Sequence, residues 1–230
     1  MNFIQLAQAV KRESGLSGGG PVAYATATGD DARIFQWVNW AHRDICLMHE
    51  SWLFRRGTAL AETSTQTLPH DLASPGFGLP DFAQWKSENN EYRPSAWRVA
   101  DGQASEQELK FLTWDEFRKL FVLGTHTSGG LQYWSVDPAG LMYVGPTPDA
   151  AHKVRADYIK DVVDMAADAD VPVLPTRFHN LIVWRALAEY GGFDAAGEVF
   201  QRADKNYNMG LSALLQSQLP KRWISARPLA

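Results

Sequence analysis

His42, Cys46 and His49 fall at steps of four and three, so about one helical turn separates the thiol from an imidazole on either side. A thiol beside a base is the raw material of nucleophilic catalysis. The neighbours argue against it: Ile45, Leu47 and Met48 make the surroundings apolar, and an apolar site raises a thiol's pKa and leaves it inert. His42 and His49 are seven apart, whereas zinc-binding histidines on a helix sit at i and i+4. They are expected on the helix surface or at an interface. His179, beside Phe178, is expected in a partly buried packing role.

Other groupings fail as sites on similar grounds. Gly18-Gly19-Gly20 follows a helical stretch rather than a strand, and no Lys-Ser/Thr pair succeeds it, so it is not a phosphate cradle. Asp164, Asp168 and Asp170 lack the glycine and closing glutamate of a calcium loop. They are expected to form a solvated linker favouring the next helix start. No serine stands in a nucleophile elbow. The sequence therefore points to no catalytic residues, no metal and no cofactor.

Composition narrows the classes further. Apolar residues make up 45% of the 230 residues and charged ones 21%, enough to bury a core. The net charge of −4 comes without a Lys/Arg cluster, so stable nucleic-acid binding is not expected. A mildly acidic surface would let a polyanion pass without sticking. One cysteine excludes an internal disulfide. No run of eighteen apolar residues suggests a membrane span. The start lacks the pattern of a signal peptide, so synthesis in the cytoplasm is the default. Nine Trp and eleven Phe can fill a core or anchor interfaces.

The elements that would position these residues follow from periodicity. Phe3, Ile4, Leu6, Ala7 and Val10 predict a helix over 3–14, closed by glycines. Asp30-Asp31 predict an N-cap and acidic first turn for a helix over 31–50, with Ile34, Trp37, Val38, Ala41, Ile45, Met48 and Trp52 continuing at steps of three and four. Thr176 is expected to cap a helix stopped by Gly191-Gly192, and a last helix is expected over 195–219 until Pro220. Between them, short apolar runs predict strands over 52–60, 64–68, 109–112, 131–136, 141–144 and 154–159. Asp137-Pro138-Ala139-Gly140 makes a turn joining two of these, and Thr113 with Glu116 makes a capping box for a short helix to about Leu120. The expected fold is α+β, mainly α: a helical bundle of residues 1–52 and 160–219, a β-rich insertion at 53–159, and an extended C-terminal tail at 220–230. Helices 3–14, 31–50, 176–191 and 195–219 should pack together, burying Trp37, Ile45, Leu181, Trp184, Phe200 and Leu211.

Four phrases, in order along the chain, carry a family likeness: FIQLAQAVKRESGLSGGGP, RIFQWVNWAHRDICLMHESWLF, DPAGLMYVGPTPD and DADVPVLPTRFHNLIVWRALAEYGGFDAAGEVFQRA. Together they resemble tailed-bacteriophage head-to-tail adaptor proteins, the middle of the chain least. The resemblance implies a non-enzymatic virion protein. It would form a ring, usually of twelve copies, under the portal protein. That ring joins the portal to the tail nozzle or tail tube in the virion neck, and DNA passes through without specific binding. It further implies a C-terminal segment that reaches the portal. Here that segment carries Lys221, Arg222, Trp223, Ile224 and Arg227, an apolar anchor with a cationic rim. The alternatives are another head-completion or tail-tube protein, or a small enzyme. A tail tube should be mainly β at both ends, and an enzyme needs a clustered acid/base set.

Overall fold

In the computed structural model the described residues are 1–18, 20–63, 70–71, 78–86, 93–124 and 128–220. The chain forms two compact units, one from Met1–Arg55 and the segment from Val162 onward, the other from Arg56–Asp161. Helix outweighs strand, so the fold is α+β and mainly α. The expected strand at 64–68 and the C-terminal tail lie outside the described residues.

The first unit is helical. Helix α1 (Phe3–Ser14) opens with a capping box that uses Asn2 and Gln5, and ends on Gly15 at φ 78°. That left-handed conformation is open to glycine at no steric cost. Helix α2 (Gly29–Leu47) starts two residues earlier than expected. Thr28 precedes it, and Asp30 and Asp31 lie inside the first turn rather than at the cap. They still complement the helix dipole there. Helix α4 (His179–Phe193) follows a 3-10 turn over Thr176–Phe178, so Thr176 is not its cap.

Gly191 and Gly192 do not stop α4; they form part of its last turn. A Cβ on Gly191 would lie 3.0 Å from the Phe200 backbone. The glycine is thus needed where helix α5 (Gly197–Gln218) starts back along α4. Helix α4 packs against α1, α2 and α5. Phe3, Phe35, Ile45, Trp52, Ile182 and Leu187 lie at the centre of the core. Trp37, Ile45 and Leu181 are buried as expected, whereas Trp184 and Leu211 are only half-buried. Phe200 is 44% exposed, because it sits in the first turn of α5 with its backbone, rather than its ring, closest to α4.

The second unit holds two sheets around one core. Strand β1 (Arg56–Glu62) begins later than expected. Trp52 belongs to the helical core, and Leu53–Arg55 form a 3-10 turn. The further strands are β2 (His70–Asp71), β3 (Phe82–Trp85), β4 (Ser95–Arg98), β5 (Gln107–Glu108), β6 (Lys110–Phe111), β7 (Tyr133–Val136), β8 (Met142–Gly145) and β9 (His152–Lys160). The first sheet runs β1-β9-β4-β5, with β3 also on β9, and the second runs β2-β8-β7-β6.

In β9, Val154, Ala156 and Tyr158 face the core while alternate residues face outward; this is the period of a half-buried strand. The turn at Asp137–Gly140 is present. Gly140 donates its amide to the Asp137 carbonyl, and the Asp137 carboxylate accepts from the amides of Ala139 and Leu141. Thr113 and Glu116 form the expected capping box for α3 (Trp114–Phe117), which continues as a π-turn over Arg118–Val122.

Candidate functional site

The sequence's chemical candidates come together only in part. Cys46 is fully buried, and burial pushes its thiol up to about 12. A thiolate is not available there at neutral pH. His42 is not on the surface as expected, but buried with 1% exposure. Its position in α2 turns it toward the loop before α4, where Nε2 accepts the Val173 amide at 3.4 Å. The hydrogen therefore sits on Nδ1, which is buried with no partner. Burial draws the His42 pKa down to about 4, with Asp164 opposing and His179 and Arg43 assisting.

His49 packs edge-on to Trp52 at 5.1 Å. His179 is also buried: Nε2 donates to the Leu174 carbonyl at 2.9 Å, which leaves Nδ1 to accept from the Met1 ammonium at 2.7 Å. These three histidines fasten segments together, and none is hydrogen-bonded to the Cys46 sulfur among the described residues.

The three aspartates are likewise structural rather than a loose solvated linker. Asp164 pairs with Arg43 at 2.7 Å, Asp168 accepts the Tyr24 amide at 2.7 Å, and Asp170 accepts the amides of Ala166 and Ala167. Those two amides hold the Asp170 carboxyl below its ordinary range. Among the described residues no cluster of three or more His, Cys, Asp or Glu side chains could hold a metal. No helix there is long and apolar enough to cross a membrane.

What the helical unit does present is exposed apolar side chains on two of its helices. Gln36, Trp40, Arg43 and Leu47 follow one another along the outward side of α2, at steps that keep them on one face. Trp40 is 45% exposed and lines a cleft of about 620 Å³ with Tyr24, Arg33 and Asn39. An exposed tryptophan beside a cleft is the kind of group that anchors interfaces. The sequence signal was its phase: Trp40 falls out of step with Ile34, Val38, Ala41 and Ile45.

Helix α5 adds a second such surface. Its 22 residues bury only Ala203 and Leu214 fully, and Met209 is 62% exposed. A surface helix normally buries about three residues in seven. The tail residues singled out in the sequence, Lys221, Arg222, Trp223, Ile224 and Arg227, lie outside the described residues.

No curated protein matches the chain. The family model described as SU10 adaptor protein matches residues 1–229. That match spans both units, and the chain accordingly belongs to the SU10 adaptor protein family, a family of phage head-to-tail adaptors.

Proposed function

We propose that the protein is a non-enzymatic component of the virion neck. Copies assemble side to side into a closed ring, twelve in the usual arrangement of such adaptors, seated between the portal and the tail nozzle or tail tube. The observation that carries this reading is the family match over residues 1–229. A closed ring needs two different contact surfaces on each copy. The outward face of α2 and the exposed face of α5 are two candidates on separate helices, each joined to α4. The net charge of −4 favours a channel wall along which DNA slides without being held. Lys221, Arg222, Trp223, Ile224 and Arg227 would anchor each copy to the portal, Trp223 filling an apolar pocket and the cations pairing at its rim.

The test is sedimentation and negative-stain imaging of the protein, alone and mixed with its portal. Rings that co-sediment with the portal are expected; a monomer that ignores the portal at micromolar concentration overturns the reading. Deleting residues 221–230 should abolish portal binding while leaving the helical unit folded. Unchanged binding by the folded truncation removes the tail from this role.

A further inference from the structure

The sheet unit has a second polar cleft that neither the family nor the ring accounts for. It is about 270 Å³ in volume, room for one long side chain and small for a typical free ligand. Register builds it. Arg98 of β4 stands opposite His152 of β9, and the turn that follows β4 carries Asp101, closed by Gly102 at φ 71°. Ala96 and Leu131 give it a small apolar wall, while the Trp97 ring lies on the other face of the sheet under Arg155.

The decisive group is His152, which lines the cleft yet is only 3% exposed. Its Nδ1 lies 2.8 Å from the Ala150 carbonyl oxygen. A carbonyl only accepts, so Nδ1 carries the hydrogen and Nε2 holds a lone pair. Nε2 has no protein partner among the described residues. The other polar groups tilt the cleft the same way. Its one cation, Arg98, is already engaged by Asp149. Among the described residues Asp101 stands exposed with no ion pair and no side-chain hydrogen bond. The cleft therefore offers two open acceptors, one nitrogen of a buried imidazole and an exposed carboxylate, beside the neutral Ser105 and Gln107 and an apolar wall. It lacks a cation of its own to spare.

We propose that this cleft receives a basic side chain, lysine or arginine, carried by a protein partner. The aliphatic stem would lie along Leu131 and Ala96, and the charged head would donate to His152 Nε2 and pair with Asp101. The field of the unit favours such a guest: residues 56–161 hold fourteen Asp and Glu against ten Lys and Arg. The preference for a cation stands on the cleft alone. Its delivery by a protein rests on the adaptor reading.

The test uses the full chain with ring-labelled histidine. The His152 resonance is identified as the one lost in His152→Gln. Three probes are titrated: n-butylguanidinium, the neutral pentanamide, and a capped Ala-Arg-Ala peptide. Both cations should shift His152 saturably, the peptide at least as tightly as the free guanidinium, and pentanamide should not. Asp101→Asn, on an exposed turn where folding is safe, should weaken both cations by about threefold or more. Equal shifts with pentanamide, or full binding by Asp101→Asn, overturn the cation site. Binding of butylguanidinium but not of the peptide overturns the protein-borne source. Cation binding by a chain that stays monomeric and ignores the portal leaves the cleft standing and sinks the ring reading instead.

Discussion

Lowering the pH from 7 to 5 should destabilise the helical unit through His42, by about 2 kcal/mol. The ring is buried, accepts one amide, and keeps a hydrogen on an unpartnered Nδ1. In the folded chain its pKa is about 4, against 6.5 for the free side chain. The unfolded chain therefore binds more protons between those values, and stability rises with pH across that window. The contribution is complete above about pH 6.5 and is lost as the pH falls toward 4. Integrating the linkage between pH 7 and pH 5 gives a loss of about 2 kcal/mol from this residue. His179 is lowered too, chiefly by burial, and adds in the same direction.

The assay is denaturant unfolding followed by far-UV circular dichroism at pH 7, 6 and 5, on the wild type and His42→Gln. Glutamine can still accept the Val173 amide but does not titrate. Carboxylates and His179 contribute to both proteins, so the difference between the two slopes isolates His42. The wild type should lose about 2 kcal/mol more than the variant over that range. Parallel curves would refute a buried, neutral His42 and the packing of the Val173 segment upon it.

Further outcomes follow from packing. Trp52→Ala should cost about 3–5 kcal/mol by thermal or denaturant unfolding, because Trp52 is fully buried and its indole donates to the Ile45 carbonyl at 3.0 Å. Gly191→Ala should destabilise by about 1–3 kcal/mol, although alanine is the better helix former, because its Cβ meets the Phe200 backbone. Gly57→Ala should loosen the sheet unit by a similar 1–3 kcal/mol or so, its Cβ falling 2.5 Å from the Tyr158 ring. Cys46 should resist thiol reagents in the native state and react only on unfolding, its thiol being buried and pushed up to about 12; rapid native labelling contradicts this.

The parts of the fold legible in the sequence were those with local physical causes. The stripe Ile34, Val38, Ala41 and Ile45, the capping box at Thr113 and the turn at Asp137 each depend on residues a few positions apart. Strands β3 and β4 were missed although β7 and β8 are just as short: the Asp137–Gly140 turn marks that pair in the sequence, whereas β4 follows a proline and β3 pairs with the distant β9. The run Trp52-Leu53-Phe54 mimicked a strand, though tertiary packing draws Trp52 into the helical core. Gly191 looked like a stop signal, but its missing side chain serves the approach of α5 instead. The cleft at His152 was beyond reach of local reading, since register alone brings Arg98 opposite His152 across the sheet.

Register also explains how a helical unit can be split across the sequence and still close. Its two halves end at Arg55 and resume at Val162. A flexible loop of roughly 100 residues in that position would carry a length-dependent closure cost of about 4 kcal/mol. The sheet unit removes that freedom. Strand β1 pairs antiparallel with β9 from Arg56↔Ile159 to Glu62↔Lys153, so the insertion's first and last strands start and finish side by side. Tyr158 reinforces the join: its ring fits where Gly57 has no side chain, and its hydroxyl donates to Asp81 at 2.9 Å. The insertion therefore delivers the chain back beside its point of departure, and α4 can pack on α1 and α2 without searching the conformations of an open loop. Residues that pin this ladder hold the two ends of the insertion side by side.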